Sequence, residues 1–133
     1  MSDNATVFIT NMAADHNYES AVKFGALRPV TRGNFPFFKH VRLQEEIAET
    51  LIHSTKDDYL AFSGSGFIGA LCLQIWLMLH KECKALLFDR QQGGYVLRVI
   101  KRDALITNIE QAKDEAERRR GCLHQDKSGH RGS

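Results

Sequence analysis

The segment Asp57-Asp58-Tyr59-Leu60-Ala61-Phe62-Ser63-Gly64-Ser65-Gly66 runs directly into Phe67-Ile68-Gly69-Ala70-Leu71-Cys72-Leu73. Its first half is apolar without alternation, as in a strand covered on both faces. The Ser/Gly stretch reads as a tight turn, and the apolar run beyond it as a buried helix. A strand that turns sharply into a helix aims free backbone N–H groups and the positive end of the helix dipole at one spot. This junction restricts the chain to an α/β architecture and makes ligand binding the leading expectation.

The chain has 133 residues, enough for one domain with its own core. With 43% hydrophobic and 26% charged residues it fits neither a disordered nor a membrane-embedded class. A formal net charge of +2 is too small to argue for nucleic acid or a membrane surface, so neither is an expected partner. The longest apolar stretch, Phe67 to Leu79, is interrupted by Gln74. A bilayer-spanning helix needs about 20 apolar residues, so this one reads as a core helix or a homo-oligomer interface. Cys72, Cys83 and Cys122 are odd in number and lack CxxC spacing. Free thiols in a reducing, cytoplasmic compartment are expected. The polar start Met1-Ser2-Asp3-Asn4 has no basic segment and predicts no signal peptide.

Along the chain, Val7-Phe8-Ile9-Thr10 predicts a first strand. A loop from Asn11 to Asn17 leads to a short helix over Tyr18 to Phe24, with Asn17 as its N-cap and Gly25 at its end. Leu27 to Thr31 predicts a second strand, and Pro29 places it at a sheet edge. Arg32-Gly33-Asn34 is a turn, followed by the aromatic loop Phe35-Pro36-Phe37-Phe38. The next helix carries Val41, Leu43, Ile47, Leu51 and Ile52 on its expected core face. Strands are predicted over Asp58 to Ser63 and Lys84 to Asp89, with the helix Phe67 to Lys81 between them. The turn Arg90 to Gly94 and the alternating run Tyr95 to Ile100 predict a hairpin. A charged helix follows over Ile109 to Arg120, and residues 121–133 are expected to be a disordered tail. The expected fold is one α/β domain over 1–120. It is a three-layer, Rossmann-like, mostly parallel sheet of about five strands with an antiparallel edge hairpin.

Ligands of such sheets sit beyond the carboxyl ends of the strands. The loops Asn11 to Asn17, Thr31 to Asn34 and Ser63 to Gly66 should converge there. Asn11, His16 and Tyr18 are candidates to contact a base or ribose. Thr31, Arg32, Ser63, Gly64, Ser65 and Gly66 are candidates to hold phosphate. The stretch is neither a phosphate-binding loop with its lysine nor a GxGxxG fingerprint. If the protein is an enzyme, His16 is the expected acid or base and Asp15 its orienting partner. Capping by Asp15 or Asn17 beside a solvated His16 accounts for the same residues. Ser63 and Ser65 lack the GxSxG elbow of a nucleophile. Asp57 and Asp58 fall at the amino end of their strand and read as turn residues. Histidine spacing gives no metal site, and no cofactor is expected. Arg118-Arg119-Arg120 suits the dipole at a helix end.

Val7-Phe8-Ile9-Thr10-Asn11, His16-Asn17-Tyr18, Ala21, Phe24-Gly25, Leu27, Val30-Thr31, Gly33 and Asp58-Tyr59-Leu60 before a Ser/Gly turn together form a pattern. It resembles a group of small bacteriophage proteins over roughly residues 7 to 100. The resemblance implies a phage or prophage origin and a compact Rossmann-like domain, with no particular activity. More distantly, the layout resembles nucleoside deoxyribosyltransferase-like and nucleotide-sensing domains. Those enzymes carry a catalytic glutamate on the helix after a comparable strand. Here that helix reads Phe67-Ile68-Gly69-Ala70-Leu71-Cys72-Leu73-Gln74, without an acid. The resemblance therefore implies binding more than glycosidic-bond chemistry.

The function expected is binding of a nucleotide or nucleotide-derived signal, with sequestration in a bacterial host as the role such binding would serve. The alternatives are a nucleotide-processing enzyme using His16, and a host-protein interaction module docking through Phe35 to Phe38 or the last helix.

Overall fold

The computed structural model describes residues 4–33 and 40–132, with side chains described for 4–33 and 41–122. The aromatic loop Phe35 to Phe38 lies outside the described residues. The chain divides into two compact units, Met1–Ile100 and Lys101–Ser133.

The first unit holds β1 (Thr6–Met12), α1 (Glu19–Val22), β2 (Ala26–Arg32), α2 (His40–Leu51), β3 (Tyr59–Ala61), α3 (Gly66–Leu79), β4 (Glu82–Asp89) and β5 (Gly94–Lys101). Its five-stranded sheet has the order β2-β1-β3-β4-β5. β1 is parallel to β2 and β3, and β3 to β4. β5 returns antiparallel along β4. The expected mixed, mostly parallel sheet with an antiparallel edge is what the chain forms. Pro29 lies on the edge strand β2, opposite Ile9.

Right-handed crossovers dictate where the helices go. The step β1 to β2 runs one way along the sheet and the step β2 to β3 runs back, so α1 and α2 must cover opposite faces. α2 and α3 pack on each other and on one face. Leu43, Ile47 and Leu51, spaced four apart, are fully buried there with Phe8, Leu60 and Trp76. Val41 and Ile52, also expected on that helix face, are exposed. The opposite face presents Val7, Ile9, Ala61 and Leu86 to Ala21, Tyr18 and Tyr95.

β3 is shorter than the run Asp58 to Ser63 predicts, because side chains replace the ladder at both of its ends. At the amino end, the buried Asp58 carboxylate accepts N–H bonds from Thr6 (2.8 Å) and Thr55 (2.8 Å). Asp58, expected as a turn residue, therefore ties β1 to the loop before β3. At the carboxyl end Thr10 takes over, as described below. α1 is also shorter than Tyr18 to Phe24: Asn17 Oδ1 accepts the Glu19 N–H at 2.8 Å, and helical geometry begins after Tyr18. Gly25 ends the turn against the Ala5 carbonyl, where a Cβ would stand 2.2 Å from the oxygen.

The second unit is α4 (Arg102–Gly132). It starts before the expected Ile109, and its helical backbone continues through the stretch expected as a tail. The expected boundary at residue 120 falls inside it. Exposed Leu105, Ile106 and Ile109 occupy its first turns. Farther along, Arg118 and Arg119 both pair with Glu115.

Candidate functional site

In a doubly wound sheet the crevice opens where the strand order reverses, beyond the carboxyl ends of the strands. Here the reversal lies between β1 and β3. Their last paired residues are Ile9 and Ala61. Past this point Thr10 replaces the ladder: its Oγ1 donates to Ser63 O (2.9 Å) and accepts from Ser63 N (2.9 Å). β2 joins through the Thr31 hydroxyl, which lies 2.7 Å from Thr10 O and 3.0 Å from Asn11 Oδ1. The end of the β1–β3 seam is thus locked by side chains, while β1 and β2 stay paired by backbone as far as Met12 and Arg32.

The turn itself needs glycine. Gly64 sits at φ +76°, and a Cβ there would meet Asn11 Nδ2 at 2.9 Å. Asn11 and Gly64 are therefore in direct contact across the crevice. Ser65 caps α3, its Oγ accepting the Ile68 N–H at 3.4 Å. Gly66 opens the helix at the surface.

On the α1 face a cluster of rings closes over the turn. The buried Tyr18 hydroxyl accepts the Ala13 N–H at 2.8 Å and lies 2.8 Å from Ser63 Oγ. His16 Nε2 lies 2.9 Å from the Tyr95 hydroxyl. The His16 ring stands edge-on to Tyr18 (4.6 Å between centroids) and Phe88 (5.0 Å). Tyr95 is anchored by its own N–H to Ser20 Oγ at 2.9 Å. Burial, and secondarily the neighbouring Tyr18, push the Tyr95 phenol up to about 12. It remains a neutral hydroxyl at physiological pH.

Two clefts flank the Ser/Gly turn and share Phe62, Ser63 and Gly64. One, of about 360 Å³, runs along α3 past Thr10, Gly69 and Leu73. The other, of about 350 Å³, is bounded by His16, Phe88, Arg90 and Tyr95. Of the residues expected at the site, Asn11, Thr31, Ser63 and Gly64 come together directly, and Tyr18 joins through Ser63. Ser65 and Gly66 line the α3-side cleft. Arg32 is exposed at the end of β2 and is not among the described lining of either cleft. Asp15 is exposed, and the partner that holds the imidazole is Tyr95 instead.

A scan against family models matches the phage Pam3 gp32-like protein family over residues 5–101. The chain belongs to the phage Pam3 gp32-like family. No curated protein and no solved structure matches it. The family span takes in both clefts and leaves all of α4 outside.

Sequence reading of this gp32-like chain missed Phe88, Arg90 and Tyr95. The signal was there: a parallel β4 ends at the same sheet edge as β3, so the hairpin turn and the first residues of β5 must lie beside the Ser/Gly turn. The gp32-like domain also holds a Ser–His pair at the opposite edge, Ser54 Oγ to His80 Nε2 at 2.8 Å. Ser54 donates its only proton to Leu51 O at 2.6 Å, so His80 must be the donor to Ser54. A nucleophile needs the reverse polarity, and this pair is structural. Burial lowers the His80 pKa, against the pull of Asp58. No helix among the described residues is long and apolar enough to cross a membrane.

Proposed function

We propose that this gp32-like protein is a cytoplasmic, Rossmann-like binding domain for a nucleotide or nucleotide-derived ligand, and that it holds the ligand without turning it over. The observation that carries this reading is the Ser63–Gly66 turn, placed at the reversal of strand order with an open cleft on each side. The strand order supports it, since sheets ordered 2-1-3-4-5 bind their ligands at this switch point. The chemistry supports it too. Backbone amides at the start of α3 and the hydroxyls of Ser63 and Ser65 suit oxyanions, while rings beside them suit a base. Thermal-shift and calorimetric titration against nucleotides and cyclic nucleotides tests it. A saturable response that Gly64→Ala abolishes in a folded protein is expected. No response across the panel refutes the reading.

One observation favours a second reading, a nucleotide-processing enzyme. His16 is an acid–base group held by Tyr95 at the mouth of a cleft. In that case product forms with a bound nucleotide, and His16→Ala stops it while binding persists. We also propose self-association through α3, whose Phe67 is 44% and Met78 72% exposed. Light scattering that gives a monomer at high concentration would rule this out.

A further inference from the structure

We infer that the cleft bounded by His16, Phe88 and Tyr95 takes a single mononucleotide, with its base against these rings and its phosphate held by Arg90 rather than Arg32. This rests on the reading that the domain binds nucleotide-type ligands, and it names the size, the orientation and the anchoring cation.

Size comes first. Ligand pockets span roughly 300–1,000 Å³. At about 350 Å³ this cleft is near the lower limit, suited to one base, one sugar and one phosphate, and short for a dinucleotide. Charge comes next. The described lining contains one arginine, one histidine and the hydroxyls of Ser63 and Tyr95, and it contains no carboxylate. The adjacent Asp89 points its Oδ1 at the turn, accepting from Gln91 N (2.9 Å) and Gln92 N (3.4 Å). Among the described ion pairs none involves Arg90, so its planar fork is available for a phosphate.

The walls supply the other half. Phe88 and Tyr95 meet edge-to-face at 5.3 Å, and His16 stands edge-on to both. Tyr95 is buried, yet Phe88 remains 38% exposed. A ring exposed beside a cation and hydroxyls is what a heteroaromatic base stacks on, because every base offers a π-face. Arg32 ends β2, on the far side of β1 from this cleft, and is not among the described lining of either cleft.

Isothermal titration of the full chain with ribonucleoside 5′-monophosphates, a dinucleotide, adenosine and inorganic phosphate tests the assignment. A monophosphate is expected to bind best. Arg90→Ala should weaken it by about tenfold or more, as loss of a charge-assisted bond does, while Arg32→Ala changes it less than about twofold. Arg90→Lys should fall between, keeping the charge and losing the fork. Phe88→Leu should weaken adenosine and the monophosphate alike. Circular dichroism of each variant confirms folding, and exposed Arg90 and Phe88 make that the expected result. If a mononucleotide binds and only Arg32→Ala weakens it, the inference is overturned and the binding reading stands. The same holds if only the dinucleotide binds. If no nucleotide binds the wild-type chain, the underlying reading fails with it.

Discussion

The two faces of one sheet have been put to different uses. On the α2/α3 face Phe8, Leu43, Ile47, Leu51, Ile68 and Trp76 are at most 1% exposed. Trp76 stands edge-on to Phe8 at 5.9 Å, and its one polar atom is satisfied by Glu82 O at 3.0 Å. What stays open on that side is the cleft past Gly69 and Leu73, beside the Ser/Gly turn. The α1 face is covered by a single helical turn and a group of tyrosines, whose hydroxyls continue into the crevice. Apolar burial scales with area removed from water, so the two-helix face holds most of the stability. The thinly covered face is where rings and hydroxyls stay within reach of solvent. Neighbouring residues on a strand, such as Phe8 and Ile9, thus belong to different tasks.

That division can be broken or sharpened by substitution. The largest effect is expected from Trp76→Ala, about 3–5 kcal/mol of unfolding free energy measured in denaturant. The protein that remains folded should keep its ligand response. A cost below about 1 kcal/mol would mean that the helix face is not the stabilising one.

Alkaline pH probes both faces together. Burial raises the Cys72 and Cys83 thiols from 9.0 to about 12, and Tyr95 from 10.0 to about 12. Each group is more easily ionised in the unfolded chain. Its contribution is therefore complete below the unfolded value and is lost as pH climbs toward about 12. Denaturation midpoints should begin to fall near pH 9 through the thiols. Replacing both cysteines with alanine should remove that early fall, and Tyr95→Phe should flatten only the later part.

Gly64→Ala should cost about 1–3 kcal/mol through its left-handed backbone, and should also displace Asn11. Unlike Trp76→Ala, it should lose stability and ligand response together. Tyr18→Phe is the mildest. Removing one hydroxyl from between Ala13 N and Ser63 Oγ should cost about 0.5–1.5 kcal/mol and loosen the crevice more than the core. If it leaves binding unchanged, the tyrosine network is scaffolding.

Much of the fold was legible because its signals are local. The non-alternating Leu60-Ala61-Phe62 run, the Ser/Gly turn and the Leu43/Ile47/Leu51 spacing each place an element without reference to the rest. Pro29 located the sheet edge for a similar reason: it cannot donate to a second neighbour. The boundaries of α4 were not legible, since a helix polar on most sides carries no burial pattern. The cleft walls were half legible. Asn11, Tyr18 and the Ser/Gly turn follow strands whose ends predict their place. Tyr95 and Arg90 acquire theirs only from the order of strands in the sheet, which no short window of sequence contains. Asp58 closes a turn with Thr55 as expected, but its second bond, to Thr6 52 residues away, could not be read from a short window.

The bond between His16 and Tyr95 joins positions 79 residues apart, and it has a consequence for how the protein comes into being. As the chain leaves the ribosome, β1 and the Ser/Gly turn emerge well before Tyr95. The crevice acquires its last wall when β5 folds back. A chain cut short before Tyr95 would therefore carry four of the five strands and lack the ring that closes the crevice.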